Sequence, residues 1–588
     1  MSPQKKCKQC AKEFEVTDFD LNFFKKISPT FDPPASAGPE ALRAGGKTFE
    51  VPAPTLCYEC RLQRRLMRRN ERALYKRKCD HCQKDVVSVF AENSGIKVHC
   101  NKCWWSDKWN PLDYGIEYDE DKPFFEQFNE LYKKVPQLGL MNDEGTGSEN
   151  CEYCQDFAYG KNCYFMTGCW RSENSMYCHE SDRSKYVVDS DLTIDSEICY
   201  ECMSSSNLYN CFYVNMSDAS RDCILSYDLK GCSNCIECYG LRNKSYFIKN
   251  QQSTKEEFEK RKAEILKTRA SIEKARVEFD EWCKNKPRRF ANMVNCENCT
   301  GNVMRNCKNS YAYSTYNAVD CRYFNNGDSP ISCLDVFQSG KPQMSYEGVT
   351  PDECYLALFT VWCWKCRNVL YSENCHNSDD LFGCTALKHG KYCILNKQYT
   401  KEEYEQLVAK IITNMQRDGE WGEFFPISIS PFGYNEAMAR DFFPLSKEDA
   451  LKLGAKWQDT DYSSFNGTFY EPKETIEEYI GNEEEQKKLL AGAIKCRVTS
   501  KPFRIIPQEL AFYMEHKLPI PTICFDQRFE NRLARRYKLK LYAGKCMNEA
   551  PSFAGTTDGK CPNTFTTIYG PQDKEIVYCA DCYEKSMI

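Results

Sequence analysis

The chain has 588 residues, 28% charged and 41% hydrophobic, with a formal net charge of only −5. That length favours several domains over one core, and the near-balanced charge excludes a global electrostatic case for nucleic-acid binding, so any basic surface is local. No run of about 18 apolar residues is present, so no membrane span is expected. The opening MSPQKKCKQC lacks the apolar segment of a secretory signal, and the 38 cysteines fall largely in C-x-x-C pairs and regular spacings. Together these predict thiolate–metal chemistry in a reducing, cytoplasmic setting rather than a disulfide framework.

The expected fold class is multi-domain and mainly β with helices: tandem zinc ribbons at both ends flanking two Cys-rich parallel β-solenoid segments, each closed by a helix. In chain order the parts are tandem zinc ribbons over 1–112, a helical linker over 113–150 and a Cys-rich β-solenoid over 151–250. A long helix or helical hairpin over 251–290 leads to a second solenoid over 291–398. A helix and irregular connector over 399–495 then precedes a degenerate ribbon plus a zinc ribbon over 496–588.

Four C-x-x-C pairs open the chain: Cys7/Cys10, Cys57/Cys60, Cys79/Cys82 and Cys100/Cys103. One such turn aims two sulfurs at one point, and two turns complete a tetrahedral Zn²⁺ shell with no open catalytic position. Chain order predicts two sites, 7/10 with 57/60 and 79/82 with 100/103. The first site spans an insertion whose small-residue stretch, Ala35–Gly46, reads as a loop. His81 and His99 each neighbour a cysteine, but four thiolates suffice without them. Redox thiols or buried free thiols are the competing reading.

Between the ribbons runs RLQRRLMRRNERALYKRK, Arg61 to Lys78, with nine Lys/Arg and one Glu. At helical spacing Leu62, Leu66, Ala73 and Leu74 face a core, while Arg61, Arg64, Arg65, Arg68 and Arg72 share another face, with Arg69 beside them. Such a stripe suits phosphate contact, since guanidinium presents a planar fork of donors; a solvated helix packed on the ribbons is the plainer reading.

In the middle, cysteines recur 9 or 12 residues apart, as in Cys154→Cys163 and Cys199→Cys211→Cys223→Cys232, and 21 apart, as in Cys178→Cys199 and Cys333→Cys354→Cys375. With short β-prone runs and Asn/Ser/Asp/Gly turns, this predicts a parallel β-solenoid of about 21 residues per turn, stacked at ~4.8 Å. Serine takes the same phase at Ser181, Ser190 and Ser220, so most of these cysteines read as small inward packing residues. Cys232, Cys235 and Cys238 form the one C-x-x-C-x-x-C run that could hold a metal or cluster. Both segments end alike: Tyr246, Asn250 and Thr254 match Tyr392, Asn396 and Thr400. Ser253/Glu256 and Thr400/Glu403 read as capping boxes opening helices. Phe258, Ile265, Ile272 and Phe279 then repeat every seven residues before Pro287. That spacing fits a helical hairpin, a coiled-coil contact or packing on the solenoid.

The C-terminus repeats the N-terminus. Cys7, Phe14, Leu21 and Phe23 match Cys496, Phe503, Leu510 and Phe512 at one offset. Cys57, Arg61, Arg65, Arg68, Arg69 and Cys79 match Cys524, Arg528, Arg532, Arg535, Arg536 and Cys546 at another. The partners of Cys10 and Cys60 are Thr499 and Gln527, so this ribbon is expected to keep its shape without zinc. Cys546, Cys561, Cys579 and Cys582 complete a last four-thiolate set, its first knuckle widened by MNEAPSFAGTTDGK. The expected metal content is therefore three Zn²⁺.

PTLCYECRLQRRLMRRNERALYKRKCDHC followed by HCNKCWWSDKWNPLDYG resembles an uncharacterised family of cysteine-rich bacterial proteins with tandem zinc ribbons and β-solenoid segments. The likeness extends through FFPISISPFGYN and KPFRIIPQEL over nearly the whole chain, and it implies the metal-binding fold without implying an activity. The residues themselves point to a non-enzymatic zinc protein that holds an RNA or DNA backbone through Arg61, Arg64, Arg65, Arg68, Arg69, Arg72, Arg528, Arg532, Arg535 and Arg536. A protein-interaction scaffold using the solenoid faces is the alternative, and a thiol redox or metal-handling role a third. No nucleophile–base set, phosphate loop or H-E-x-x-H is present.

Overall fold

A computed structural model describes residues 4–31, 46–142, 147–459, 467–536, 538–549 and 560–587. The expected loop over Ala35–Gly46 and most of the insertion after Cys546 lie outside the described residues. The chain is mixed α/β, with many parallel strands in long sheets and three cysteine clusters near its ends.

The two cysteine-rich segments run as stacks of short parallel strands. In the first, Lys185 pairs with Glu197 and Glu197 with Tyr209, and Cys199 lies beside Cys211, a register of twelve residues. In the second, Thr300 pairs with Tyr311 and Tyr311 with Arg322, eleven residues apart, before Arg322↔Leu334 restores twelve. This corrects the expected 21-residue turn. The spacings 9, 12 and 21 are all multiples of three, and three is the length of one side of the coil. The backbone turns left-handed at every third residue, as at Tyr153, Asp156, Tyr159, Asn162 and Phe165. Left-handed backbone is costly for residues with a Cβ, and Asn and Asp tolerate it best. Many corners carry them, and their side chains form ladders: Asn150 donates to Asn162 at 3.1 Å, and Asn162 to Asn174 at 3.0 Å.

The inward position of each triplet holds Cys, Ser or a small apolar residue. Cys163 Sγ donates to the carbonyls of Lys161 and Ser172 at 3.4 and 3.3 Å. Ser190 Oγ donates to Val188 O at 3.0 Å and accepts from Cys202 N at 3.1 Å. Thiol and hydroxyl thus meet the same carbonyls two residues back or nine residues, three sides, onward, which explains their interchange. Cys154 through Cys238 form one buried cluster with Leu208, Val214 and Leu229, and Cys354 through Cys393 form another with Val369 and Leu381. Among the described residues, Cys232, Cys235 and Cys238 belong to no set of three or more mutually close ligands.

Lys255–Leu266 and Lys401–Asp418 are helices at matching places after the two stacks. Thr400 and Glu403 form the expected capping box, whereas the first box is Thr254/Glu257 rather than Ser253/Glu256. Where a long helix or a helical hairpin is expected, two helices form: the second, Arg269–Lys284, begins after Thr268, whose hydroxyl is bonded by the Ser271 amide. Phe258, Ile265, Ile272 and Phe279 nevertheless share one core with strand residues Tyr200, Phe212, Ile224 and Ile236. The seven-residue spacing therefore marks packing on the stack.

The chain divides into two units, Met1–Leu140 with Ala291–Gln458, and Met141–Phe290 with Asp459–Ile588. The N-terminal ribbons thus share a unit with the second stack, and the C-terminal ribbons with the first. No helix among the described residues is long and apolar enough to cross a membrane.

Candidate metal centres and the arginine helices between them

Two local devices build the ribbons, the first seen in three of them and the second in all four. The first is a turn. Cys7 N donates to Lys12 O at 2.8 Å and Ala11 N to Cys7 O at 2.9 Å, with Ala11 left-handed. Cys79, Gln83 and Lys84 repeat that pattern, and so do Cys496, Ser500 and Lys501. The second device is a helix start. Cys57, Cys100, Cys524 and Cys579 are the N-cap residues of Tyr58–Leu66, Asn101–Trp104, Phe525–Leu533 and Ala580–Ser586. A helix N-terminus favours negative charge and so suits a thiolate.

Turn and helix start bring together three sets: Cys7, Cys10, Cys57 and Cys60; Cys79, Cys82, Cys100 and Cys103; and Cys546, Cys561, Cys579 and Cys582. Within each set all four sulfurs lie within 4.8 Å of one another. Cys10 and Cys57 are 3.7 Å apart, Cys82 and Cys100 3.9 Å, and Cys561 and Cys579 3.9 Å. A tetrahedral ion with ~2.3 Å bonds to sulfur needs sulfurs ~3.8 Å apart, so the donor sets fit a Zn²⁺-sized soft cation. His99 is buried beside Cys100, with ring centres 5.2 Å from exposed His81 and 5.0 Å from Trp109. Burial holds it at about 4, so the ring is neutral near pH 7. Neither histidine is in the ligand set.

The degenerate ribbon keeps the same geometry with two thiols. Thr499 Oγ1 lies 3.7 Å from Cys524 Sγ, matching the Cys10–Cys57 separation, and Cys524 N donates to Cys496 Sγ at 3.4 Å. A threonine hydroxyl therefore stands where the other copy has a thiol.

The arginine helix lies between a ribbon and a stack in each unit, and the expected phosphate-facing stripe is corrected: it is turned inward. In Tyr58–Leu66 only Glu59 escapes full burial. Arg61 Nε donates to Asp335 at 2.7 Å, and Arg65 meets the same carboxylate at 3.3 Å. Arg64 bridges Glu347 at 2.9 Å and Glu423 at 2.6 Å. Arg68 Nε donates to Glu373 at 2.8 Å, Arg69 pairs with Glu71, and Arg72 reaches Asp441 at 2.9 Å.

The other unit repeats the arrangement. Arg528 Nε lies 2.8 Å from Asp189, and Arg532 meets that carboxylate at 3.1 Å and Asp191 at 3.3 Å. Arg535 pairs with Glu201 at 3.3 Å and Arg536 with Glu180 at 2.5 Å. The correspondence extends to the rings. Arg61 sits 5.3 Å from the centre of Tyr323 and Arg528 5.2 Å from Tyr177. Tyr58 stacks on Tyr323 at 5.0 Å, and Phe525 on Tyr177 at 5.5 Å. Tyr177, Asp189 and Glu201 match Tyr323, Asp335 and Glu347 at the same offset as Tyr246 and Tyr392.

The physical reason for the inward turn is local charge matching. Asp335 is fully buried and would be left uncompensated without Arg61 and Arg65. Burial is the largest single influence on Arg61 and lowers it, but Asp335, Tyr346 and Glu347 together outweigh it and raise the guanidinium above its ordinary value. Burial alone would raise Glu201, yet Arg276, Arg535 and Arg532 hold it at about 2. Sequence reasoning missed these acidic and aromatic partners; their matched positions in the two stacks were the available signal.

No protein-family model and no curated protein matches this chain.

Proposed function

We propose that the protein is a non-enzymatic, zinc-stabilised scaffold. Its three closed four-cysteine sites would each hold Zn²⁺ and contribute folding free energy to ribbons too small to bury a core. Its parallel stacks would act as solenoids, rigid bodies offering long outer faces to protein partners. The observation that carries this reading is the doubly repeated lock: arginine, carboxylate and tyrosine meet in the same way in both units. The ten arginines have intramolecular carboxylates as partners, which weakens the case for an RNA or DNA backbone as their ligand. A reducing compartment suits thiolate ligands, and the resemblance to cysteine-rich bacterial zinc-ribbon proteins agrees with this reading.

The test combines zinc counting with affinity capture from lysate. Three zinc ions per chain, with captured protein partners retained after nuclease treatment and at moderate salt, are expected. Nucleic-acid binding at low salt that is abolished by charge reversal at Arg64, Arg65, Arg68 and Arg69, in a chain that still holds three zincs, would replace this reading with the nucleic-acid one.

A further inference from the structure

The duplication supplies an internal control: a feature built in one unit and absent from its counterpart is not required by the shared fold. A cleft in the unit containing the N-terminal ribbons is such a feature. Its volume is about 460 Å³, within the range of small-molecule sites. One wall is Ser28–Phe31, part of the ribbon insertion that has no counterpart between His516 and Leu518. The floor is Leu356, Leu358 and Leu370 on successive coils of the stack.

The other unit fills the equivalent place. Phe212 stands where Leu358 does, and His516 where Ile27 does. Their rings are 6.1 Å apart, and His516 lies 4.6 Å from Phe512. Leu356 sharpens the contrast. It is a left-handed corner, φ 52, where the other stack has Asn210, whose side chain reaches Asp222 at 2.7 Å. A leucine there gives up the residue type best suited to that backbone and adds apolar surface to the cleft.

The rim carries both signs. Lys401 is paired with Glu405 at 3.6 Å. Asp380 accepts from Asn368 through Oδ1 at 3.0 Å, and solvent-exposed Lys26 lines the cleft just before Ser28–Phe31. An apolar floor flanked by a carboxylate and an ammonium complements a small zwitterion with an aliphatic side chain. We propose that this cleft binds a free apolar amino acid or a short unblocked apolar peptide. Its side chain would lie on Leu356, Leu358 and Leu370, its ammonium at Asp380 and its carboxylate at Lys26. The proposal is independent of the scaffold reading.

The test is calorimetric titration of the full chain with leucyl-leucine, N-acetyl-leucyl-leucine and leucyl-leucinamide. Saturable binding of leucyl-leucine is expected, weakened about tenfold when either end is blocked, each blocked end losing one charged contact. Leu358→Phe, which copies the other unit, should abolish binding while the zinc count stays at three. Asp380→Asn, also a copy of the other unit, should weaken leucyl-leucine yet leave the acetylated peptide unchanged. Absence of saturable binding, equal affinity for blocked and unblocked peptides, or indifference to both substitutions would overturn the proposal.

Discussion

Asp335→Asn is the sharpest probe of the lock. The carboxylate is fully buried and pairs with two guanidiniums, Arg61 at 2.7 Å and Arg65 at 3.3 Å, each itself at most 3% accessible, with Arg65 also 3.6 Å from Glu347. The amide keeps the shape and one acceptor but removes the charge, leaving cations in a site that water does not reach. Breaking a buried pair from one side costs about 3–5 kcal/mol, a large share of the 5–15 kcal/mol typical of a domain. Urea unfolding, read by hydrogen exchange at Tyr58–Leu66 and at the coils around Asp335, measures it. With slopes of about 1–3 kcal/mol per molar urea, the local midpoint should fall by at least ~1 M. The double change Arg61→Met with Asp335→Leu, which leaves Arg64 and Arg65 facing Glu347 and Glu423, should recover most of the loss, because the charges removed balance. A cost below about 1 kcal/mol for the single change would refute the argument, since it would mean that water or another group already satisfies the pair.

Three further outcomes follow from the same geometry. Thr499→Cys with Gln527→Cys restores two ligands on an intact turn and helix start, so zinc per chain should rise from the three expected sites to a fourth, with Co²⁺ substitution giving the spectrum of an added tetrahedral thiolate site. Cys211→Ser should cost no more than about 1–2 kcal/mol, because a hydroxyl can donate to the same carbonyls of Tyr209 and Ser220, whereas Cys79→Ser should lose one zinc outright. Glu201, held at about 2 against an ordinary 4.5, favours the folded state fully above the ordinary value and loses that contribution as pH falls toward 2. The stability gap between wild type and Glu201→Gln should therefore shrink by about 3 kcal/mol between pH 7 and pH 2, as measured by urea midpoints.

What was legible in the sequence was chemistry fixed by local spacing. C-x-x-C defines a turn, S/T-x-x-E a helix start, and both are set within a few residues. The cysteine period was visible but mis-scaled. Only some inward positions carry cysteine, so the triplet was sampled at 9, 12 and 21, and the parallel register of twelve had to come from backbone pairing. The eleven-residue coils at Thr300–Arg322 shift the phase by one residue each and hide the repeat further. The arginine stripe misled for a different reason. Amphipathic spacing shows that two faces differ, but not that the charged face meets solvent. Asp335 lies 274 residues from Arg61, so only the duplicated pattern of Tyr177, Asp189 and Glu201 could have exposed the partner.

The two missing thiols of the C-terminal ribbon have a physical counterpart in the packing around it. Among the described residues, Cys7, Cys57 and Cys60 cluster with Leu56 and partly buried Phe14, separately from Phe23, Phe24, Ile27, Phe49 and Val51, which are buried in the same ribbon. A four-thiolate ion would tie the two knuckles of that cluster together. Cys496 and Cys524 instead belong to the large core that also contains Leu510, Phe512, Tyr513, Leu518 and Ile520, together with Ile265, Ile272 and Phe279 from the two helices after the first stack. At about 1.5–3 kcal/mol for each large apolar side chain removed from water, a handful of these residues matches the folding contribution of a structural zinc, about 10–16 kcal/mol. Cys496 and Cys524 are continuous with that core, whereas Cys7, Cys57 and Cys60 form a cluster of their own, so apolar packing reaches the C-terminal knuckles where Thr499 and Gln527 stand in place of Cys10 and Cys60. The lock had no such substitute: Asp189 is buried in its own stack and is left unpaired whenever Arg528 and Arg532 are removed. Thus the arginines survive where the thiolates did not, and the arginine–carboxylate contact, more than the metal, is the part of the ribbon that the stack requires.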